Sequence, residues 1–221
     1  MILGHYGAAF AAKRIAPRTS LGTMSFAAQL SDLLWPLLLL VGLERVEIVP
    51  GLMRMSPLDF VHYPISHSLL AVVAWGVLLG GIYYARTRYP RGAWVVGALV
   101  VSHWLLDLPM HRPDLPLWPG DSPMVGLGLW NSFAATLTIE LALFAIGLFV
   151  YVRTTRPRDR IGSWALAGLV AFLLVIYLGG LTSPPPRDAR SLALSVLGLW
   201  LFVPWCYWID RHREPRAAAT T

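Results

Sequence analysis

Six long apolar segments constrain this chain more strongly than any other feature of its sequence. An α-helix needs roughly 20 mostly apolar residues to cross the hydrocarbon core of a bilayer. Because lipid offers no hydrogen bonds to the backbone, such segments must be helical. The six segments are Leu21–Leu43, Pro64–Ala85, Ala93–Leu108, Leu129–Val152, Ile161–Leu181 and Ser191–Ile209. The sequence therefore predicts an all-α fold, a polytopic membrane bundle of about six transmembrane helices.

Composition agrees with a single membrane domain. Charged residues make up 14% of the 221 residues, against about 25% in a typical soluble domain. We expect residues 1–210 to form one membrane-embedded domain and residues 211–221 a polar cytoplasmic tail. The stretch Ile2–Ala12 is too short to span, and we expect an interfacial or re-entrant helix there.

The basic residues predict how the helices are oriented. Thirteen of the 18 Lys and Arg residues lie in alternate connections and the two terminal segments. This alternation follows the positive-inside rule, and it indicates six spans in the bacterial inner membrane with both termini in the cytoplasm. The net charge of +6 is spread over short loops rather than one face, so no nucleic-acid partner is expected.

His103 and Asp107 are the first pair of ionisable residues that point to chemistry. They lie four residues apart in the third segment, which places both on one helix face about a turn apart. An ionisable group inside a membrane helix costs roughly 2.5–3.5 kcal/mol on insertion scales and is a functional candidate. The pair fits a metal site, and it also fits a His–Asp hydrogen bond that only satisfies two buried groups.

His62 and His67 flank the predicted start of the second helix. On a continuous helix they would point about 140° apart, at about 100° per residue. Pro64 is favoured in a first helical turn, so we expect His62 before the helix and His67 inside it, both turned toward one centre. Ser66 and Ser68 could support them. An interfacial histidine pair with a serine cap would have the same sequence.

The predicted topology places these two pairs on the same, outer side of the membrane. Asp32 and Glu140 lie near the middle of the first and fourth segments, where each can reach toward the cluster or only hydrogen-bond a neighbouring helix. His5 reaches the cluster only if the N-terminal segment dips into the bundle. Asp114, in the loop after the third segment, is expected to be solvated.

The donor types point to a hard-ligand metal site. The sequence has no nucleophile elbow, no glycine-rich phosphate loop and no cysteine ligand set, and Cys206 is its only cysteine. His and Asp donors without cysteine suit a divalent metal, zinc first, with manganese or iron as alternatives. Such a metal would lower the pKa of a bound water toward about 7 and polarise a phosphoryl or acyl oxygen.

The order of these motifs resembles the YdjM-like family of bacterial inner-membrane metal-dependent hydrolases, of the LexA-regulated type. The matching features span roughly residues 4–120 and are Gly4-His5, Asp32, His62 to His67-Ser68, Ser102-His103 to Asp107, and Pro113 to Pro119. The remaining half matches only as hydrophobic helices. The resemblance implies a set of residues that bind the metal or support its ligands: His5, Asp32, His62, His67, His103 and Asp107.

Two positions depart from the family pattern. Family members carry Pro-Asp-x-Asp in the first helix, where this chain has Gln29-Leu30-Ser31-Asp32. They also carry His-Arg-Gly between the paired histidines, where this chain has His62-Tyr63-Pro64. One carboxylate fewer and no arginine, the natural phosphate clamp, weaken the case for a two-metal hydrolase. The ligand order is also similar to the zinc-dependent phospholipase C and nuclease group, which suggests phosphoester hydrolysis.

Three functional readings follow from the sequence. The leading one is a metal-dependent hydrolase that acts on a lipid or phosphoester substrate drawn from the lipid bilayer, with Asp59 or Glu140 as the catalytic general base. The second is a transporter or ion-binding permease that uses the same His/Asp cluster. The third is a structural membrane protein whose polar groups only tie helices together.

Overall fold

The computed structural model describes residues 1–216 and is mostly helical. Apolar runs without interior proline form the long helices, and serine or aspartate caps begin several of them. The helices in the described residues are α1 (Leu3–Ala12), α2 (Leu21–Ala28), α3 (Leu30–Leu40), α4 (Pro64–His67), α5 (Leu69–Thr87), α6 (Pro90–Asp107), α7 (Phe133–Thr154), α8 (Arg160–Thr182), α9 (Ala189–Val196) and α10 (Phe202–Arg211). Short 3₁₀ turns occupy Leu129–Asn131 and Leu197–Leu201.

The described residues also form three small antiparallel sheets of two strands each. Their strands pair as β1 (Arg45–Ile48) with β2 (Leu58–His62), β3 (Leu115–Pro116) with β4 (Met124–Val125), and β5 (Thr155–Pro157) with β6 (Arg213–Pro215). The helical bundle agrees with the all-α expectation, and the small sheets lie in its connections and at the start of its tail. The expected polar tail is described only to residue 216, where β6 ties it to the α7–α8 connection. Residues 217–221 lie outside the described part of the chain.

Several helices are suited to crossing a membrane. Within residues 1–216, four are long and apolar enough by length and composition: Leu69–Thr87, Phe133–Thr154, Arg160–Thr182 and Ala189–Arg211. A fifth arises if α2 and α3, which meet at a bend of 55°, form one broken span. The 18-residue α6 is not among these candidates. A polytopic membrane bundle is therefore supported, and the count of six spans stays a prediction.

The N-terminal helix α1 lies inside the bundle. His5, Ala9 and Phe10 are fully buried, in contact with neighbours on α2, α6 and α7. Glycines permit this close approach, because a Cβ at Gly147 would overlap the carbonyl oxygen of Gly7. Of the two expected arrangements for this segment, interfacial or re-entrant, the one that enters the bundle matches the structure.

Packing elsewhere separates a protein-facing core from a lipid-facing exterior. The glycines of the small-xxx-small pattern, Gly76 and Gly80, face α6, where an added Cβ would lie 2.9 Å from a backbone oxygen. Close approach of this kind is what small residues allow between membrane helices. Trp94 and Trp164, near the starts of α6 and α8, are 81% and 75% exposed, as expected of interfacial aromatic anchors.

Candidate metal centre

Glu140 fixes the start of α1 inside the bundle. The first N–H groups of a helix have no partner within the helix. Here the Glu140 carboxylate, midway along α7, accepts hydrogen bonds from the backbone N–H groups of Ile2 at 3.1 Å, Leu3 at 2.7 Å and Gly4 at 3.2 Å. This cap sets the axial position of α1 and thereby brings His5, one turn further on, to the centre of the bundle.

His103 and Asp107 lie on one face of α6, as their spacing predicts. His103 Nε2 is 3.1 Å from Asp107 Oδ2, and His5 Nε2 is 3.2 Å from Asp107 Oδ1. The rings of His5 and His103 stack with centroids 3.8 Å apart. The backbone nitrogen of Met1 also donates a hydrogen bond to Asp107. The start of α1 and the end of α6 thus meet at one buried carboxylate.

The tautomer of His103 follows from its other nitrogen. His103 Nδ1 lies 2.8 Å from the carbonyl oxygen of Ala28, at the bend between α2 and α3. A carbonyl oxygen can only accept, so Nδ1 carries the proton and a neutral ring presents a lone pair at Nε2. That nitrogen faces Asp107 and, at 3.7 Å, Asp32 Oδ1.

A second hydrogen-bond chain sets the tautomer of His67. The Ser66 hydroxyl donates to Glu44 Oε2 at 2.6 Å, since the carboxylate can only accept. Ser66 Oγ then accepts from His67 Nδ1 at 2.7 Å. The lone pair of a neutral His67 is therefore at Nε2, 3.6 Å from Asp32 Oδ1. Asp32 lies in the first turn of α3.

The donors form two overlapping groups in the described part of the chain. His5, His103 and Asp107 make one group, and Asp32, His67 and His103 make the other, each with ligand atoms within 4.8 Å of one another. Ligands about 2.0–2.2 Å from one ion lie no farther apart than about twice that distance. The separations between 3.1 and 3.7 Å given above meet this limit.

Unsatisfied nitrogens test whether a cation fits. Within residues 1–216, both ring nitrogens of His5 and Nε2 of His103 are buried without a hydrogen-bond partner of acceptable geometry. Buried polar groups normally have one. Lone pairs on nitrogen facing carboxylate oxygens repel each other unless a proton or a metal cation lies between them. The nitrogen and oxygen donors present therefore fit a divalent ion of the zinc, manganese or iron type.

Five of the six expected ligands meet at this centre, and His62 does not. His62 is exposed at the end of β2, opposite Arg45. Pairing with Arg45 at the end of the β1–β2 ladder holds His62 at the edge of the hairpin, while Phe60 and Tyr63 on either side of it are buried. Pro64 does begin α4, which turns only His67 toward the centre.

The two expected general bases occupy different environments. Asp59 forms an ion pair with Arg112, and its side chain is outside both donor groups. Glu140 is buried and lines the cavity beside the centre, with its carboxylate engaged by the start of α1. Their catalytic assignment stays a prediction.

A buried Asp–His pair beyond α6 escaped the sequence reasoning. Asp114 is only 6% exposed rather than solvated, because its carboxylate accepts a hydrogen bond from His111 Nδ1 at 2.9 Å and its carbonyl accepts one from the Tyr63 hydroxyl at 3.0 Å. Burial lowers the pKa of His111. Glu44 was missed as well. Both carboxylates follow apolar segments closely, which was the signal available.

A cavity of about 370 Å³ opens beside the centre. Asp32, His67, Asp107, His111 and Glu140 line its polar end. Its remaining walls are mostly apolar side chains of α3, the β2 region, α8 and α9. The centre is thus reachable by a ligand that carries both polar and apolar parts.

The fold and the site together define a polytopic helical membrane protein with a buried His/Asp cluster beside an amphipathic cavity. The chain belongs to the YdjM inner membrane protein family, whose sequence profile matches residues 1–182. The expected resemblance is confirmed, and the chain is a multi-pass protein of the inner membrane.

Other comparisons reach less far. The chain is 28% identical over 134 residues to a phospho-N-acetylmuramoyl-pentapeptide-transferase of Aliarcobacter butzleri (strain RM4018). This match covers 60% of the chain but only 36% of the relative, so the chain spans about a third of that protein's length. No solved structure matches the chain.

Proposed function

We propose that this protein is a membrane-embedded, metal-dependent hydrolase of phosphoesters. The observation that supports the proposal most strongly is the pair of fixed tautomers: neutral His67 and His103 both present Nε2 lone pairs to carboxylates, and a metal cation bound between them would remove the repulsion. His5, Asp32 and Asp107 complete the donor set.

The chemistry follows from what such a centre supplies. A bound divalent metal lowers the pKa of a coordinated water and polarises a phosphoryl oxygen. In the reaction, water adds to phosphorus, the ester P–O bond breaks, and the leaving oxygen takes up a proton. The chain orients the histidines. His67 is held by Ser66 and Glu44, and His103 is held by the carbonyl of Ala28. His5 is positioned by Glu140, which caps the helix that carries it. His111, whose Nδ1–H donates to Asp114, presents its Nε2 lone pair at the cavity wall, where it can accept a hydrogen bond from a water molecule.

The transporter alternative has less support. It needs a polar path through the bilayer, and Glu140 would be its mid-depth group. The Glu140 carboxylate instead accepts three backbone N–H groups of α1. The likeness to a transferase, by that relative's name an enzyme, also favours the enzymatic reading.

Hydrolysis of simple esters tests the proposal. We expect detergent-purified protein loaded with zinc or manganese to hydrolyse p-nitrophenyl phosphate or bis(p-nitrophenyl) phosphate, and chelation to abolish this. His67→Ala should lose activity by about 10²-fold or more, in the range of ligand-orientation losses, and the exposed His62→Ala should retain it. Equal activity in both variants, or none in the metal-loaded wild type, would contradict the proposal.

A further inference from the structure

The cavity beside the metal centre has two chemically distinct ends. Its polar end is the cluster described above. Its apolar end lies between α8 and the segment that runs from α9 into the following 3₁₀ turn, where Ile176, Leu181, Leu192, Val196 and Leu199 form the wall. A soluble phosphoester without an apolar chain would not cover this wall. The favourable free energy of burying the wall from water would then be lost.

The apolar end also reaches the outside of the bundle along α8. Ile176 and Gly180 line the cavity and are exposed as well. Their helix is one of the candidate membrane spans, and its neighbouring residues Val175 and Leu178 are 66% and 48% exposed. What lies outside the cavity mouth at α8 is therefore bilayer, from which a lipid can enter sideways.

A polar group inside the apolar end still lacks a partner. Tyr177 is 7% exposed and lines the cavity, and its hydroxyl has no hydrogen-bond partner within residues 1–216. Buried tyrosine hydroxyls usually find one. A ligand oxygen near the junction of headgroup and chain would supply it.

We infer that the cavity binds a lipid phosphoester, with its phosphate at the His/Asp cluster, its apolar chain between α8 and α9, and an oxygen near the phosphate accepting a hydrogen bond from Tyr177. This assignment rests on the proposed hydrolase function and narrows its substrate class. At about 370 Å³ the cavity is near the small end of the usual 300–1,000 Å³ range for ligand pockets, so it holds a headgroup and one chain segment while the rest of the lipid remains in the bilayer.

Two adjacent glycines give a matched pair of variants. A Cβ at Gly179 or Gly180 would meet no other atom of the described residues within 4 Å, so both positions have room for a side chain to begin. Only Gly180 lines the cavity. Gly180→Trp should fill the apolar end, and Gly179→Trp is the control for a large side chain on the same turn.

The probes are dodecyl phosphate and ethyl phosphate, which differ only in chain length. We measure binding by calorimetry to the metal-loaded protein at fixed detergent concentration, and turnover in parallel. Gly180→Trp should weaken dodecyl phosphate binding by about tenfold or more, since losing about two buried CH₂ groups has that effect. The same variant should change the binding of ethyl phosphate by no more than about twofold. Gly179→Trp should change the binding of either probe by no more than about twofold.

A second variant tests the hydroxyl. Tyr177→Phe should weaken dodecyl phosphate binding by about two- to tenfold, the range for one hydrogen bond. The lipid assignment is overturned if the wild type binds the two probes equally, or if the two tryptophan variants behave alike. Binding that depends on chain length, without turnover of either probe, would support the lipid site and refute the hydrolase function. Equal turnover of both probes would support the hydrolase function and refute the lipid site.

Discussion

At the residue scale, the centre depends on which nitrogen of each histidine carries the proton. The proton position is fixed for His67 by Ser66 and Glu44, and for His103 by the Ala28 carbonyl. None of these groups belongs to the donor set that would bind a metal. Such supporting hydrogen bonds fix ring orientation and tautomer, and their loss typically costs 10–100-fold in metal affinity. The site therefore consists of the proposed ligands together with the hydrogen bonds that orient them.

The Glu44–Ser66–His67 chain gives the first prediction. Glu44→Gln or Ser66→Ala should weaken metal binding by about 10–100-fold, because either change disrupts the hydrogen-bond chain that fixes the tautomer of His67. Glu47→Gln is the matched control, since Glu47 is exposed in strand β1, which begins directly after Glu44. Metal affinity by isothermal titration calorimetry checks this. Unchanged affinity in Ser66→Ala would refute the positioning role.

Glu140 gives the second prediction, which separates two roles for one carboxylate. If it caps α1, Glu140→Leu should lower both thermal stability and metal affinity, because three buried N–H groups lose a charged acceptor worth roughly 1.5–3 kcal/mol per hydrogen bond. Thr138→Val, at an exposed position of α7, should change neither. Stability and metal binding at wild-type levels with hydrolysis lost would instead identify Glu140 as the general base.

The sequence could indicate some of these residues and not others. The four-residue spacing of His103 and Asp107 already places them together, because helix geometry is local. Glu44 takes part through its contact with Ser66, which only the fold creates. Asp114 lies close to His111 in the sequence, but its burial also depends on Tyr63, which the fold brings from a distance. His62 illustrates the opposite case: its residue type and spacing suggest a ligand, but it lies exposed at the end of β2.

At the scale of elements, α1 is the piece that completes the site. A ten-residue helix cannot span a bilayer, and its apolar, small-residue sequence instead allows it to pack inside the bundle. Hydropathy alone could not distinguish this from an interfacial helix. The distinguishing information is the glycine at position 147, some 140 residues away, whose missing side chain makes room for Gly7.

The α1–α7 contact gives the third prediction. Gly147→Leu should push α1 away from α7, lower thermal stability by about 1–3 kcal/mol as overpacking does, and reduce metal content because His5 moves with α1. Gly81→Leu serves as the control, since a Cβ there meets nothing within 4 Å. Thermal unfolding and metal analysis of the same preparations provide the check. Full metal content in Gly147→Leu would contradict the role given to α1.

At the scale of the whole molecule, the predicted number of six membrane spans depends on α6. It is 18 residues long and not among the candidate spans, yet it carries two residues of the centre. The charge alternation in the sequence predicts that α6 crosses the membrane. Its burial of His103 and Asp107 among other helices explains a composition less apolar than that of its lipid-facing neighbours.

Cysteine labelling gives the fourth prediction. Cys206 is fully buried, so it should not react with a maleimide. A single cysteine added at an exposed position can therefore be labelled selectively. An impermeant maleimide applied to spheroplasts should label Asp121→Cys directly and Arg86→Cys only after permeabilisation, because α6 lies between them. Labelling of both from the same side would mean that α6 does not span.

The measurement that tests the central claim most directly is the metal content of detergent-purified protein, determined by mass spectrometry for the wild type, His103→Ala and His62→Ala. His103 belongs to both donor groups and His62 to neither. We predict at least about one divalent metal per chain in the wild type and in His62→Ala, and loss of most of it in His103→Ala. A wild type without bound metal after reconstitution, or His103→Ala with the same content, would contradict the account.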